Sequence, residues 1–244
     1  MGRFDAVFFD LGGTLFSYRS LRRPIAALID EAGRRLGAAD DVRALRRAYN
    51  AASREAVERY APLPFYLHRD MFLDTYRGFA RAILGTPADE SFASWFYEAQ
   101  RESMIRHLEL RPDCHSTLEA LRRGGLGVSI VSNIDNDYLE PMVVRGGLAE
   151  RVDRWMSSET ARSCKPDARF FQLCLDASGH APERVLFVGD SPLHDIAGAR
   201  GVGMRTALIE EEGIASTGDE PVESFEPDHR IRSLSDLLPI VDLA

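Results

Sequence analysis

Lysine is almost absent from this sequence. Lys165 is the single lysine among 30 basic residues, so arginine supplies all the others. A coding bias toward arginine explains most of this imbalance, and chance retention on a loop is the simplest account of the one exception. A compact ammonium, however, performs chemistry that a planar guanidinium cannot. Lys165 is therefore a candidate functional residue.

Other scarcities argue against whole classes of protein. The three cysteines (Cys114, Cys164 and Cys174) have no metal-binding spacing, so we expect reduced thiols. No apolar run approaches the ~20 residues of a membrane span, and the first residues lack the apolar core of a secretory signal. The net charge is −8, and no basic stripe indicates nucleic-acid binding. We expect a cytoplasmic monomer or homodimer with no nucleic-acid or membrane partner.

Short apolar runs alternate with helical patterns over most of the chain. Four runs rich in β-branched or aromatic residues predict buried parallel strands, at 6–10, 127–133, 184–190 and 204–210. Helical patterns precede or follow the later runs, at 166–179 and 192–203, and the C-terminal residues predict a short strand and a helix. The polar segment 211–228 predicts a surface loop. This alternation predicts a doubly wound, Rossmann-like α/β core with a parallel sheet and right-handed crossovers.

Residues 19–108 follow a different pattern. Four amphipathic helical patterns occur in a row there, with no strand signal between them. An all-helical block placed after the first strand of an α/β domain indicates an inserted cap rather than a module in line. We therefore predict a core domain of residues 1–18 and 109–244 and a helical cap domain of residues 19–108 that closes over the site and selects the substrate.

Four candidate residues are expected to converge at one edge of the sheet. Asp10, Ser132 and Asp190 lie at the ends of predicted strands, and Lys165 precedes the helix that leads to the strand ending at Asp190. Ligands of doubly wound sheets bind at the carboxyl ends of the strands. Two carboxylates suit Mg²⁺, which takes few protein ligands together with substrate phosphate. Ser132 and Lys165 would hold phosphate oxygens, and the glycine turn after Asp10 would present N–H groups to them.

At these residues the sequence resembles the haloacid dehalogenase (HAD) superfamily, which consists mostly of Mg²⁺-dependent phosphatases. The superfamily's four motifs occur in order with the expected spacing, and the resemblance covers nearly the whole chain. The matching segments are DLGGT from Asp10, VSN with Ser132 and Asn133, Lys165–Pro166, and GDSPLHD with Asp190 and Asp195. His194 replaces the usual asparagine of the fourth motif, and we assign it no role.

The resemblance implies a role for each matched residue. Asp10 is implied to be the nucleophile that becomes an aspartyl-phosphate, and Lys165 to neutralise the phosphoryl oxygens. Asp10, the Gly12 carbonyl, Asp190 and Asp195 are implied to bind the metal, with Asp195 also able to hold Lys165. The residues implied to bind the phosphate group are Gly12, Gly13, Ser132, Asn133 and Lys165. The expected activity is Mg²⁺-dependent hydrolysis of a small phosphorylated metabolite.

Gly12 departs from the usual first motif, which has a second aspartate at this position. Glycine cannot supply the carboxyl that protonates the leaving group and activates water, a contribution of typically 10²–10⁴-fold. Another side chain or a water molecule would then have to replace this carboxyl. The candidate side chains are Tyr18, Arg19, Tyr60, Tyr66, His68, Arg69 and Asp70. For each of these side chains, the simpler interpretation is that it is packed in the fold or exposed to solvent and has no role in catalysis.

Two other functions remain open at this point. A weakly active or inactive protein that binds a phosphorylated ligand would also carry an intact site with a glycine at position 12. A 2-haloacid dehalogenase-like hydrolase would lack the second aspartate as well, with Asp10 attacking a carbon–halogen bond. By the resemblance, dehalogenases use no Mg²⁺ and replace the acidic fourth motif, whereas this chain keeps both Asp190 and Asp195. Phosphatase-type hydrolysis is therefore the preferred hypothesis.

Overall fold

Six parallel strands form one sheet in the computed structural model of this chain, which describes residues 4–38, 41–211 and 226–243. The spatial order of the strands is β3-β2-β1-β4-β5-β6. Their bounds are Ala6–Phe9 (β1), Gly127–Ser132 (β2), Arg154–Ser157 (β3), Val185–Gly189 (β4), Arg205–Ile209 (β5) and His229–Ile231 (β6). The order reverses direction at β1, which makes the carboxyl end of β1 the topological switch point of the sheet.

The central strand β1 is apolar on both faces because both faces are covered. All four of its residues are buried, as a strand in the middle of a parallel sheet requires. Phe9 is in register with Ile130 of β2 and with Val188 of β4. The residues that follow these three positions therefore emerge at the same edge of the sheet.

Helices cover the two faces of this sheet. Their bounds are Cys114–Arg123 (α5), Asn136–Arg145 (α6), Ser158–Ala161 (α7), Ala168–Ser178 (α8), Gly198–Gly201 (α9) and Leu237–Ile240 (α10). Phe8 and Phe187 of the strands pack in one buried cluster with Phe170 and Phe171 of α8. Phe171 meets Phe187 edge-on, with ring centroids 5.3 Å apart. This packing anchors the segment that precedes α8, which carries Lys165.

The chain divides into two compact units, and the second one is helical. Residues Met1–Tyr18 and Glu109–Ala244 form the sheet-containing unit, and Arg19–Leu108 form the other. The helices of the second unit are Arg22–Arg35 (α1), Val42–Tyr60 (α2), His68–Leu84 (α3) and Glu90–Arg106 (α4). Asp41 and Asp89 cap the starts of α2 and α4 by accepting backbone N–H bonds. Tyr76 stacks on Phe96 between α3 and α4, with centroids 4.3 Å apart.

The fold class is confirmed, with two local differences from the sequence prediction. Strand β3 was not predicted, because the edge strand leaves Arg154 and Trp155 exposed and shows no apolar run. The predicted helix over 192–203 is a π-helical turn, Pro192–Ala197, followed by the short α9. Most of the predicted loop over 211–228 lies outside the described residues. Among the residues described, no helix combines the length and apolarity that crossing a bilayer would need.

Candidate active site

Asp10 stands at the carboxyl end of β1, where the chain turns sharply. Its backbone N–H donates to the Val188 carbonyl of β4 at 2.9 Å, which continues the sheet pairing by one residue. The turn is closed by the Leu15 N–H, which donates to the Leu11 carbonyl at 3.0 Å. Gly13 within the turn has φ +81°, a left-handed conformation that favours glycine. The glycine at position 13 is thus favoured by the backbone conformation itself.

Two glycines also make room for neighbouring carboxylates. A Cβ atom built on Gly13 would lie 2.2 Å from Oδ2 of Asp190. A Cβ atom built on Gly189 would lie 2.3 Å from Cγ of Asp195. Any larger residue at either position would therefore displace an acidic side chain of the site.

Lys165 lies at the centre of this cluster. Its ammonium donates to Oδ1 of Asp10 at 2.8 Å and to Oδ1 of Asp195 at 2.6 Å. Its third hydrogen bond goes to the Val131 carbonyl at 3.0 Å. The side chain is only 2% exposed, so all three ammonium protons have protein acceptors in a buried environment. The lone lysine of the chain therefore joins two motifs that are 185 residues apart in sequence.

Asn133 holds the backbone of Lys165. Its amide nitrogen donates to the Lys165 carbonyl at 2.8 Å, and its amide oxygen accepts from the Lys165 N–H at 2.7 Å. The pair of bonds fixes the start of the Lys165 side chain relative to the end of β2. Phosphate binding by Asn133 remains a prediction, and its observed contacts are those of a positioning residue.

Serine side chains and a backbone N–H complete the contacts of the aspartates. The Ser132 hydroxyl donates to Oδ1 of Asp10 at 3.2 Å. The Ser191 N–H donates to Oδ2 of Asp195 at 3.0 Å, and the Ser191 hydroxyl is 3.0 Å from Nδ1 of His194. His194 thus contacts Ser191, another residue of the same motif. Burial and the charge of Lys165 lower the pKa of His194.

The electrostatic balance of the cluster is strongly negative. Asp10, Asp190 and Asp195 each present an oxygen within 4.8 Å of the others, and Lys165 compensates one of the three charges. Burial raises the pKa of Asp10, with a further contribution from Asp195 that Lys165 opposes. Burial and the charges of Asp10 and Asp195 raise the pKa of Asp190 well above its usual value. Burial alone would lower the pKa of Lys165, but the two aspartates it contacts raise it.

This donor set fits a hard divalent cation. When all three carboxylates are ionised, they and the one ammonium carry a formal net charge of −2, which one Mg²⁺ would neutralise. All three side chains offer oxygen, the donor that Mg²⁺ prefers over nitrogen or sulfur. The Gly12 carbonyl is the further ligand that the sequence predicts beside Asp10.

Arg111 clamps the turn that follows Asp10. Its guanidinium donates to the Thr14 carbonyl at 2.8 Å and to the Gly13 carbonyl at 2.7 Å, and it pairs with Glu211 at 3.4 Å. Sequence reasoning did not find this residue. The chain has 28 other arginines, and only the position of Arg111 near the start of the second core segment distinguishes it from them in the sequence.

We expect replacement of Arg111 by methionine to lower the free energy of unfolding by about 3 kcal/mol. Methionine keeps much of the volume but leaves two carbonyls without their donor and Glu211 without its cation. Urea denaturation measures the change, with Arg169→Met, an exposed arginine of α8, as the control. The control should change stability by less than about 0.5 kcal/mol. Equal losses in the two variants would contradict the clamp.

The remaining candidates from the sequence lie in the helical unit, apart from Tyr18. Tyr60 donates to Oδ2 of Asp74 at 3.1 Å, and Tyr66 packs against the His68 ring at 4.7 Å between centroids. These contacts account for both tyrosines as packed members of the helical unit. Tyr18 belongs to the sheet-containing unit and lies beside Gly12.

The doubly wound parallel sheet gathers three carboxylates and one lysine at its switch point, which is where such sheets bind their ligands. The chain belongs to the haloacid dehalogenase-like hydrolase family, whose model matches residues 4–203. It is 30% identical to the ribulose-1,5-bisphosphate 5-phosphatase of Halopiger xanaduensis, over 97% of this chain and 98% of that protein. It is 32% identical to the (S)-2-haloacid dehalogenase 4A of Burkholderia cepacia, over 57% of this chain and 58% of that protein.

A solved structure shows the same fold over the full length. The HAD-hydrolase YfnB from Bacillus subtilis, solved bound to magnesium, superposes with a TM-score of 0.78 and covers 99% of this chain and 100% of that one. The sequence identity is 16%, so this likeness concerns the fold. The match to the family model confirms the class predicted from the four motifs.

Proposed function

We propose that this hydrolase is a Mg²⁺-dependent phosphatase that cleaves a small phosphate monoester through Asp10. The observation that carries the proposal is the buried cluster in which Lys165 bridges Asp10 and Asp195 while Asp190 stands beside them. The full-length similarity to a sugar-bisphosphate phosphatase supports the same class of substrate. The three carboxylates of the cluster support the proposed need for Mg²⁺.

Asp10 is the nucleophile of the proposed reaction. One Asp10 carboxylate oxygen forms a bond to phosphorus while the bond from phosphorus to the departing oxygen breaks. Its Oδ1 is held by Lys165 and Ser132, which leaves Oδ2 as the attacking atom. Water then attacks the phosphorus of the acyl-phosphate, which releases inorganic phosphate and restores the carboxylate. The chain supplies mainly positioning and charge, as phosphoryl transfer requires.

The other residues of the cluster hold the reacting groups. Lys165 fixes Asp10 and offers positive charge to the phosphoryl oxygens, while Asn133 fixes Lys165 through its backbone. Asp10, the Gly12 carbonyl, Asp190 and Asp195 would hold Mg²⁺. When bound, that ion supplies charge neutralisation of the phosphoryl group and orients it in line with Asp10. The N–H groups of Gly12 and Gly13 would donate hydrogen bonds to the same phosphoryl oxygens.

Dehalogenation of a 2-haloacid is the second candidate function. The similarity to a haloacid dehalogenase and the absence of an acid at position 12 favour it. The carboxylate pair Asp190 and Asp195 argues against it, because an anionic carboxylate substrate and a departing halide would meet uncompensated negative charge. A protein that binds a phosphorylated ligand without turnover would retain the same cluster.

The test is phosphate release from a panel of phosphate monoesters with and without Mg²⁺. We expect release that requires Mg²⁺, is lost with EDTA and returns when Mg²⁺ is added in excess. Halide release from 2-chloropropionate without Mg²⁺ would instead establish the dehalogenase. Mg²⁺-dependent protection against thermal unfolding by phosphate or vanadate, without turnover of any ester, would establish the binding protein.

A further inference from the structure

The space that a side chain at position 12 would fill is already occupied. A Cβ atom built on Gly12 would lie 2.2 Å from the hydroxyl oxygen of Tyr18 and 2.9 Å from the ring carbon that bears it. Real Cβ atoms do not approach other atoms so closely, so even alanine at position 12 would require Tyr18 to move. Gly12 and Tyr18 are therefore matched in size, six residues apart in the same turn.

Tyr18 is held in this place by its own packing. Phe16 meets the Tyr18 ring edge-on, with centroids 5.2 Å apart and planes at 78°. Phe16 itself is pinned by backbone bridges to Gly12 and to Leu110. The 3₁₀ turn Tyr18–Leu21 begins at this tyrosine and fixes its backbone. The hydroxyl therefore has little freedom to leave the space beside Gly12.

Tyr18 carries a phenolic O–H, which is a neutral hydrogen-bond donor at neutral pH. Tyr18 as a whole is half-buried, whereas Asp10 is buried. The group beside Gly12 is therefore a neutral O–H donor close to the turn that carries the nucleophile.

We propose that Tyr18 takes the place of the side chain missing at position 12 and donates a hydrogen bond to the oxygen of the departing alcohol. This inference rests on the proposed phosphatase function and adds a catalytic residue to it. In the first step an Asp10 oxygen bonds to phosphorus, and the bond from phosphorus to the alcohol oxygen breaks. The alcohol oxygen keeps the electron pair, the Tyr18 O–H stabilises its negative charge, and water supplies the proton that completes the alcohol. Tyr18 keeps its own proton throughout.

The catalytic part is tested by Tyr18→Phe, which keeps the ring and removes only the hydroxyl. An alkyl phosphate has a poor leaving group that needs the donor, whereas p-nitrophenyl phosphate has a stable leaving anion. We expect kcat/KM to fall about 10²-fold for the alkyl phosphate, the scale of one donor to a developing oxyanion, and by less than about threefold for p-nitrophenyl phosphate. Equal losses on both esters, or no loss on either, would overturn the assignment.

The steric part is tested without any turnover. We expect Gly12→Ala to lower Tm by about 5 °C in the natural background and to have little effect in the Tyr18→Ala background. Gly201→Ala is the control, because a Cβ atom at Gly201 meets nothing within 4 Å. The same loss in both backgrounds would overturn the matched pair.

The two tests separate the inference from the proposed function. If the natural protein hydrolyses no ester of the panel, the phosphatase proposal fails and the donor role of Tyr18 fails with it. The stability measurements would still decide whether Tyr18 occupies the position beside Gly12. If the natural protein is active and Tyr18→Phe has the same ratio of kcat/KM for the alkyl phosphate to kcat/KM for p-nitrophenyl phosphate as the natural protein, only the inference about Tyr18 fails.

Discussion

Asp10→Asn is expected to abolish phosphate release, with a loss of at least about 10⁴-fold in kcat. The amide has nearly the same shape as the carboxylate but lacks the charge that makes its oxygen a nucleophile. The amide oxygen can still accept the hydrogen bonds that Lys165 and Ser132 donate to Oδ1. The loss would therefore report chemistry rather than a collapsed site.

Stability measurements distinguish these causes directly. Because burial and the neighbouring Asp195 already raise the pKa of Asp10, removing its charge relieves repulsion within the cluster. We expect the Tm of Asp10→Asn to equal or exceed that of the natural protein. Asp176→Asn, on the exposed face of α8, is the matched control and should keep full activity. Hydrolysis retained by Asp10→Asn would refute the nucleophile assignment.

Lys165→Arg is expected to lower kcat/KM by about 10²-fold although the positive charge is kept. The Lys165 ammonium meets two carboxylates and a carbonyl in a space that is 2% exposed. A guanidinium is larger and planar, so it cannot place donors toward all three acceptors without moving an aspartate. The displaced aspartate would then be misplaced for attack or for metal binding.

Steady-state kinetics and urea denaturation together measure this effect. Lys165→Met should lower both kcat/KM and the free energy of unfolding further than Lys165→Arg does. It leaves Asp10 and Asp195 buried without their cation, which should lower the free energy of unfolding by about 3–5 kcal/mol. The reverse exchange at an exposed site, Arg169→Lys, is the control and should be neutral. Unchanged activity in Lys165→Arg would mean that the single lysine of the chain was retained by chance.

Much of the sheet and its active edge could be predicted from the sequence. Buried parallel strands are continuous apolar runs, and β1, β2, β4 and β5 all show this pattern. Strand β3 escaped prediction because an edge strand has one neighbour and exposes part of its surface. The turn at Pro192–Ala197 escaped because helical periodicity does not distinguish a π-helical turn from an α-helix.

Side-chain partners were harder to foresee. Phosphate binding by Asn133 stays a prediction, but the bonds from its amide to the backbone of Lys165 were not foreseen. Arg111 bonds to carbonyls almost a hundred residues away in sequence, and nothing in its neighbourhood marks it among the arginines of the chain. Such contacts depend on the direction of single side chains, which periodicity and composition do not encode.

The sequence by itself determined the class of fold and the position of the chemistry. Parallel strands end at one edge, so Asp10, Ser132 and Asp190 had to approach one another once their strands were recognised. Only the tertiary structure decided what stands beside Gly12. A missing side chain is visible in sequence, but the group that fills its space is set by how the turn packs Phe16 and Tyr18 against it.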